Sequence, residues 1–182
     1  MIVALSGTPG TGKTAISTCL QKKGFIVIRL NELALKHGFI YGYDNKRKSK
    51  ILDIEKLNIF LSNQYSSNEL VIIEGHATHL LHIVEKVILL RCHPKILKKR
   101  LEKKGWGEKK IRENVDAEAL DIILCEAIEY YDSKHIFEID TSNLSIESVC
   151  DGIIQIFSHN FKPIKKYNIG KIDWSDEAMI DL

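Results

Sequence analysis

The first twenty residues combine an apolar run, a glycine loop and a helix start, and few folds accommodate all three in that order. Met1-Ile2-Val3-Ala4-Leu5 reads as a short buried strand. Gly7-Thr8-Pro9-Gly10-Thr11-Gly12-Lys13-Thr14 fits the pattern G-x-x-x-x-G-K-[ST] at every fixed position, and Ala15-Ile16-Ser17-Thr18-Cys19-Leu20 opens a helix behind it. Glycines let the backbone curl around an anion with its N–H groups pointing inward, and the helix N-terminus adds partial positive charge. From such a loop Lys13 reaches the β- and γ-phosphates of ATP, and the Thr14 hydroxyl ligates Mg²⁺. An ordinary glycine-rich turn has no need of the lysine and threonine at those places.

Beyond the loop, apolar runs alternate with helical periodicity, which argues for parallel βαβ units. Strands are expected at Ile2–Leu5, Phe25–Leu30, Leu70–Ile73, Val87–Leu90 and Ile136–Ile139, and helices at about 13–22, 51–66, 94–103, 108–132 and 145–157. The expected fold is an α/β P-loop NTPase, a doubly wound parallel five-stranded sheet with its ligand crevice at the carboxyl ends of the strands. At 182 residues the chain suits one domain, and 26 Lys and Arg against 24 Asp and Glu do not announce a nucleic-acid binder. Cys19, Cys92, Cys125 and Cys150 are scattered without metal-ligand spacing, which fits free thiols in a reducing cytosol. No apolar run approaches a membrane span and no basic leader precedes the first strand, so the expectation is a cytoplasmic protein. The helical periodicity ends near Ser158, dividing a domain of residues 1–157 from a tail of 158–182.

Three further groups carry chemistry. Leu70-Val71-Ile72-Ile73-Glu74-Gly75-His76 puts an acid at the end of the third strand, on the same edge as the P-loop, where Glu74 can hold Mg²⁺ through water or orient a nucleophile. His76 can position a water or donate to a phosphate; His79 and His82 are read as structural. Arg91 and the segment Arg100-Leu101-Glu102-Lys103-Lys104-Gly105-Trp106-Gly107 group cations around two glycines, as a lid over phosphates does. Arg91, Arg100 and Lys104 are assigned to phosphate contact, whereas Lys98, Lys99 and Lys103 suit a helix C-terminus complementing its dipole. Between the second and third strands, a stretch holding Tyr41, Tyr43 and the basic run Lys46-Arg47-Lys48 is too long for a simple crossover and is where a phosphoryl acceptor would dock. Those tyrosines and cations equally suit the packing of a small lobe and a solvated face.

Taken together, the P-loop, the Glu74-Gly75-His76 element in place of an Asp-x-His, and Arg100-Leu101-Glu102-x-x-Gly105-Trp106-x-Glu108-Lys109-Lys110-Ile111-x-x-Asn114 resemble adenylate kinase isoenzyme six, the coilin-interacting nuclear ATPase family, in its archaeal branch. The resemblance runs from residue 1 to about 157, with a nucleoside-monophosphate insertion at about 28–51 and a short lid at about 103–113. It implies that Gly10, Thr11, Gly12, Lys13, Thr14 and Ala15 line the ATP phosphates, with Gly7 opening the loop. Lys104 stands where an arginine of the lid is usual. It further implies nucleoside-monophosphate kinase activity on AMP or a related acceptor, slow ATP hydrolysis, and a role in late maturation of the small ribosomal subunit. There the family engages the platform ribosomal protein, the eleventh in the universal naming, within pre-ribosomal particles. The residues alone support Mg-ATP binding and in-line phosphoryl transfer, and leave open an ATP-driven assembly switch or a metabolite kinase of the shikimate or gluconate type.

Overall fold

The computed structural model describes residues 1–45, 49–65 and 69–178. The basic run Lys46-Arg47-Lys48 and Asp181 of the tail lie outside the described residues. Five parallel strands, β1 (Ile2–Ser6), β2 (Ile26–Arg29), β5 (Val71–Glu74), β6 (Lys86–Arg91) and β7 (Ile136–Asp140), form a sheet in the order β2-β5-β1-β6-β7. β1 and β5 are buried throughout because they run through the middle of the sheet with helices on both faces. Alternate side chains divide between two cores. Ala4, Ile73, Leu89 and Ile28 join Leu57 and Leu61 on one side, while Leu5, Ile72 and Leu90 join Ile16, Leu20 and Ile153 on the other.

Helix α1 (Lys13–Lys22) follows the P-loop directly and buries Ile16, Cys19 and Leu20, spaced to share one face. Helix α4 (Pro94–Lys103) starts with proline in its first turn, where the missing N–H costs nothing. Helix α7 (Ile146–Ser158) is capped by Ser145, whose hydroxyl accepts the Ser148 N–H at 3.1 Å. All five expected strands are present, and helix α1 and helix α4 have the expected bounds.

Two helical expectations are corrected. The helix expected from residue 51 starts later, as α3 (Ile54–Gln64), because Ser49–Leu52 instead forms strand β4, paired antiparallel with β3 (Ile40–Asp44). Together with α2 (Leu30–His37) this hairpin makes a small lobe, fastened to α3 by ring contacts of Phe60 with His37 at 4.4 Å and Phe39 at 5.3 Å. The helix expected over 108–132 is broken into α5 (Glu108–Ala119) and α6 (Ile122–Tyr130). Asp121 takes a left-handed φ of 55° at the break. A non-glycine residue there costs on the order of 1 kcal/mol, and the bond from Arg91 Nη2 to the Asp121 carboxylate offsets it.

The tail lies on the domain. Phe161 and Tyr167 are buried in the α1/α7 core, Asn168 bridges to Phe137 on β7, and the Gly170 N–H donates to Glu138 at 2.9 Å. Further on, a single-turn helix α8 (Ser175–Ala178) brings Glu177 to Lys95 at 3.0 Å. All four cysteines are free thiols. No helix among the described residues is long and apolar enough to cross a membrane.

Candidate active site

The P-loop leaves β1 at Ser6 and wraps toward α1. Its shape depends on glycines with positive φ, 141° at Gly7, 100° at Gly10 and 106° at Gly12, a region that residues with a Cβ avoid. At Gly7 an added Cβ would also come within 2.4 Å of the Leu90 carbonyl oxygen, a main-chain atom that cannot give way. Within the loop, the Lys13 ammonium donates to the Gly7 carbonyl at 2.6 Å and the Thr8 carbonyl at 3.0 Å. Burial pulls the Lys13 ammonium down to about 8, against the opposing attraction of Glu74 and Glu118.

β5 ends beside β1, so Glu74 stands in register with Leu5 on one side and Arg29 on the other. Its carboxylate is buried, and burial raises its pKa despite the nearby Lys13 and Arg29 charges. His76 is exposed at the rim, but desolvation by the surrounding wall, reinforced by Lys13 and His79, holds its imidazole below the ordinary range. The imidazole is therefore neutral at pH 7. His79 is buried and bridges two elements, with Nδ1 at 3.0 Å from the Ser6 hydroxyl and Nε2 at 2.9 Å from Glu126 on α6.

A cleft of about 1160 Å³ gathers these groups. Thr8 to Ile16, Glu74, His76, Arg100 and Lys104 all line it, so one cavity holds every expected site residue except Arg91 and Gly7, the latter contributing through its conformation. Lys103, read from sequence as a dipole-complementing surface residue, lines it as well. Lys110 also lines it, with its ammonium 4.3 Å from the Trp106 ring. Arg100 reaches across to the loop after β7, donating to the Thr141 carbonyl at 2.6 Å and the Ser142 carbonyl at 3.2 Å. Thr14 and Glu74 offer a hydroxyl and a carboxylate, the hard oxygen donors that Mg²⁺ takes, and both line the same cleft. The residues present therefore fit a Mg²⁺-nucleotide.

Arg91 does not belong to this set. It is 2% exposed and its guanidinium is taken up by Glu118, Glu138 and Asp121. Burial works against its charge, but the carboxylates outweigh that cost and its pKa is raised. The expectation of phosphate contact fails because two acids of the α5–α6 junction and one of β7 converge on it. Trp174 of the tail lies over the same guanidinium, 5.1 Å from the ring centroid. Sequence reasoning also missed Glu118, Asn31 and Thr141. Only Glu118 carried a signal, an acid set against Ala117, Ala119 and Leu120 where α5 is otherwise ending in small and apolar residues.

Residues 3–121 match the AAA domain family. A Methanocaldococcus jannaschii protein named "putative adenylate kinase" is 38% identical over 178 residues, 97% of this chain and 94% of its own. A Methanosarcina barkeri protein of the same name is 41% identical over 183 residues, 97% of this chain and 98% of its own. Among solved structures, shikimate kinase from Acinetobacter baumannii in complex with shikimate aligns with a TM-score of 0.62 over 87% of this chain and 93% of that one, at 18% identity, a likeness of fold. Near-full-length identity to the archaeal proteins, the AAA-domain match and the motifs around Gly7, Glu74 and Arg100 agree, and the chain belongs to the AAA-domain P-loop proteins and, within them, to the archaeal branch of the adenylate kinase isoenzyme six family.

Proposed function

We propose that the protein is a nucleoside-monophosphate kinase that transfers the γ-phosphoryl of ATP to AMP or a related monophosphate, and that it hydrolyses ATP slowly when no acceptor is bound. The observation that carries this reading is the single cleft of about 1160 Å³. Ligand pockets usually hold about 300–1,000 Å³, so this one has room for a second substrate beside ATP. Its wall continues from the P-loop to Asn31, His76, Ala77 and Leu80, away from the loop that binds triphosphate. The names of the archaeal relatives support AMP as the acceptor.

In this reading a phosphate oxygen of the monophosphate attacks the γ-phosphorus in line. The bond from the γ-phosphorus to the β–γ bridging oxygen breaks, and ADP leaves. Lys13 releases its bonds to Gly7 and Thr8 and follows the transferring group, while P-loop N–H groups, Arg100 and Lys104 neutralise the spread charge. Thr14 and Glu74 would hold Mg²⁺, which when bound would supply charge neutralisation for the transferring phosphoryl. Neutral His76 orients the acceptor oxygen or, in its absence, a water. The family resemblance implies that this chemistry serves late maturation of the small ribosomal subunit. Binding of purified platform protein to the full chain, with and without ATP, tests that setting.

The deciding experiment follows ADP and free phosphate from Mg-ATP with and without AMP. Kinase activity gives ADP in excess of phosphate only when AMP is present. Equal ADP and phosphate under both conditions would instead make the protein an ATP-driven switch.

A further inference from the structure

We infer that Glu118 is a positioning residue for the P-loop, the tie through which the α4–α5 hairpin holds that loop in its nucleotide-binding shape. The inference rests on the reading above in assigning the P-loop to ATP. Glu118 is 3% exposed near the C-terminal end of α5. Its Oε2 accepts the Thr8 hydroxyl, and its Oε1 accepts Arg91 Nε at 2.9 Å and the Cys92 N–H at 3.0 Å. One carboxylate thus joins the second residue of the P-loop, the end of β6 and the main chain leading into α4.

The Thr8 end of this tie reaches the part of the loop that sets its shape. The Thr8 carbonyl receives Lys13 Nζ at 3.0 Å, the Thr11 N–H at 3.2 Å and the Thr11 hydroxyl at 2.9 Å. Holding the Thr8 side chain therefore holds the residue around which the loop closes. At the other end, Arg91 does not depend on Glu118 for its neutralisation, because Glu138 and Asp121 also pair with it. Two acids would suffice for one guanidinium, and the third is explained by what its other oxygen does. α5 begins at Glu108, just after the Gly105–Gly107 turn, and packs against α4.

The test compares Thr8→Val, Glu118→Gln and the double variant for ATP affinity by calorimetry and for melting temperature. Hydrogen bonds to charged groups are strong enough that each single variant should bind ATP about tenfold more weakly, about 1.4 kcal/mol. The double variant should bind about as weakly as the poorer single one, since Glu118→Gln takes the charge from the bond that Thr8→Val removes outright. A merely structural Glu118 would lower the melting temperature and leave affinity alone. Wild-type affinity in Thr8→Val, or losses that multiply in the double variant, would overturn the inference. Thr8→Val leaves the Arg91 and Cys92 bonds untouched, so it decides the matter even where Glu118→Gln does not fold. Because the readout is ATP affinity without any acceptor, a wild-type protein that binds ATP but phosphorylates no monophosphate would remove the proposed function alone.

Discussion

On the P-loop side the cleft is built of main chain locked from behind, and on the side of Asn31 it is closed by that one side chain of the small lobe and by Gly75, His76, Ala77, His79 and Leu80 after β5. The P-loop side has glycines at positive φ, carbonyls bonded by Lys13, and a buried cluster of Arg91, Glu118, Glu138 and Asp121 at its back, covered by Trp174. The lobe carries a two-stranded hairpin with Tyr41 81% and Tyr43 53% exposed, and is held to the body by Leu30 and Ala34 of α2, with Phe39 and Phe60 packed against the same core. The difference follows from the chemistry. A triphosphate presents the same oxygens every time, so preorganised N–H groups serve it best, whereas acceptors differ from one another in the base and the sugar they present.

Four measurements would break or sharpen that comparison. The largest effect is expected from Lys13→Ala, which should lower phosphoryl transfer by about 10³-fold without lowering the melting temperature. The buried ammonium is already held down to about 8, so the fold loses little with it. Near-native turnover in a folded Lys13→Ala would mean that the P-loop side does not work by fixed charge.

Truncation after Phe157 tests whether the tail is part of the rigid side. It removes Phe161 and Tyr167 from the core and the Gly170 bond to Glu138. Losing buried aromatics costs roughly 3 kcal/mol or more, which a shifted denaturant midpoint would report. An unchanged midpoint would reduce the tail to a passive cover.

The third effect is on pH. Lys13 has its pKa lowered from 10.5 to about 8, so in the free protein its charge is present below about pH 8 and lost above. The kcat/KM for ATP should fall about tenfold per unit above that point, while kcat at saturating ATP holds to higher pH because bound phosphate restores the proton. A flat kcat/KM from pH 7 to 9 would contradict this. The smallest effect belongs to the other half of the cleft, where Asn31→Ala should raise the monophosphate KM about fivefold, leave the ATP KM unchanged and alter stability by less than about 0.5 kcal/mol. Equal changes in both KM values would erase the division between the halves.

Much of the rigid side was legible in the sequence because its determinants are local. The glycine spacing, the apolar run before it and the acid after the third strand each act within a few residues, and β1, α1 and β5 formed where those signals lie. The lobe was less legible. Residues 49–52 carry a pattern that continues into a helix, and only the pairing of β4 with β3 made them a strand. The α5–α6 break was illegible for the same reason, since Asp121 leaves the helix to reach Arg91, which precedes it by 30 residues.

Arg91 and Arg100 mark the boundary between what each level decided. By itself the sequence determined a P-loop on a parallel sheet, with cations following the fourth strand, because strand, loop and helix signals are contiguous and a phosphate cradle needs little beyond them. Which arginine faces the cleft was decided only in three dimensions. Glu118 and Asp121 from the α5–α6 junction and Glu138 from β7 enclose Arg91, while Arg100 meets backbone carbonyls of Thr141 and Ser142 at the cleft wall. A side chain's charge is written in the chain, but its surroundings, and with them whether that charge is spent inside the protein or offered to a ligand, depend on segments that meet only on folding.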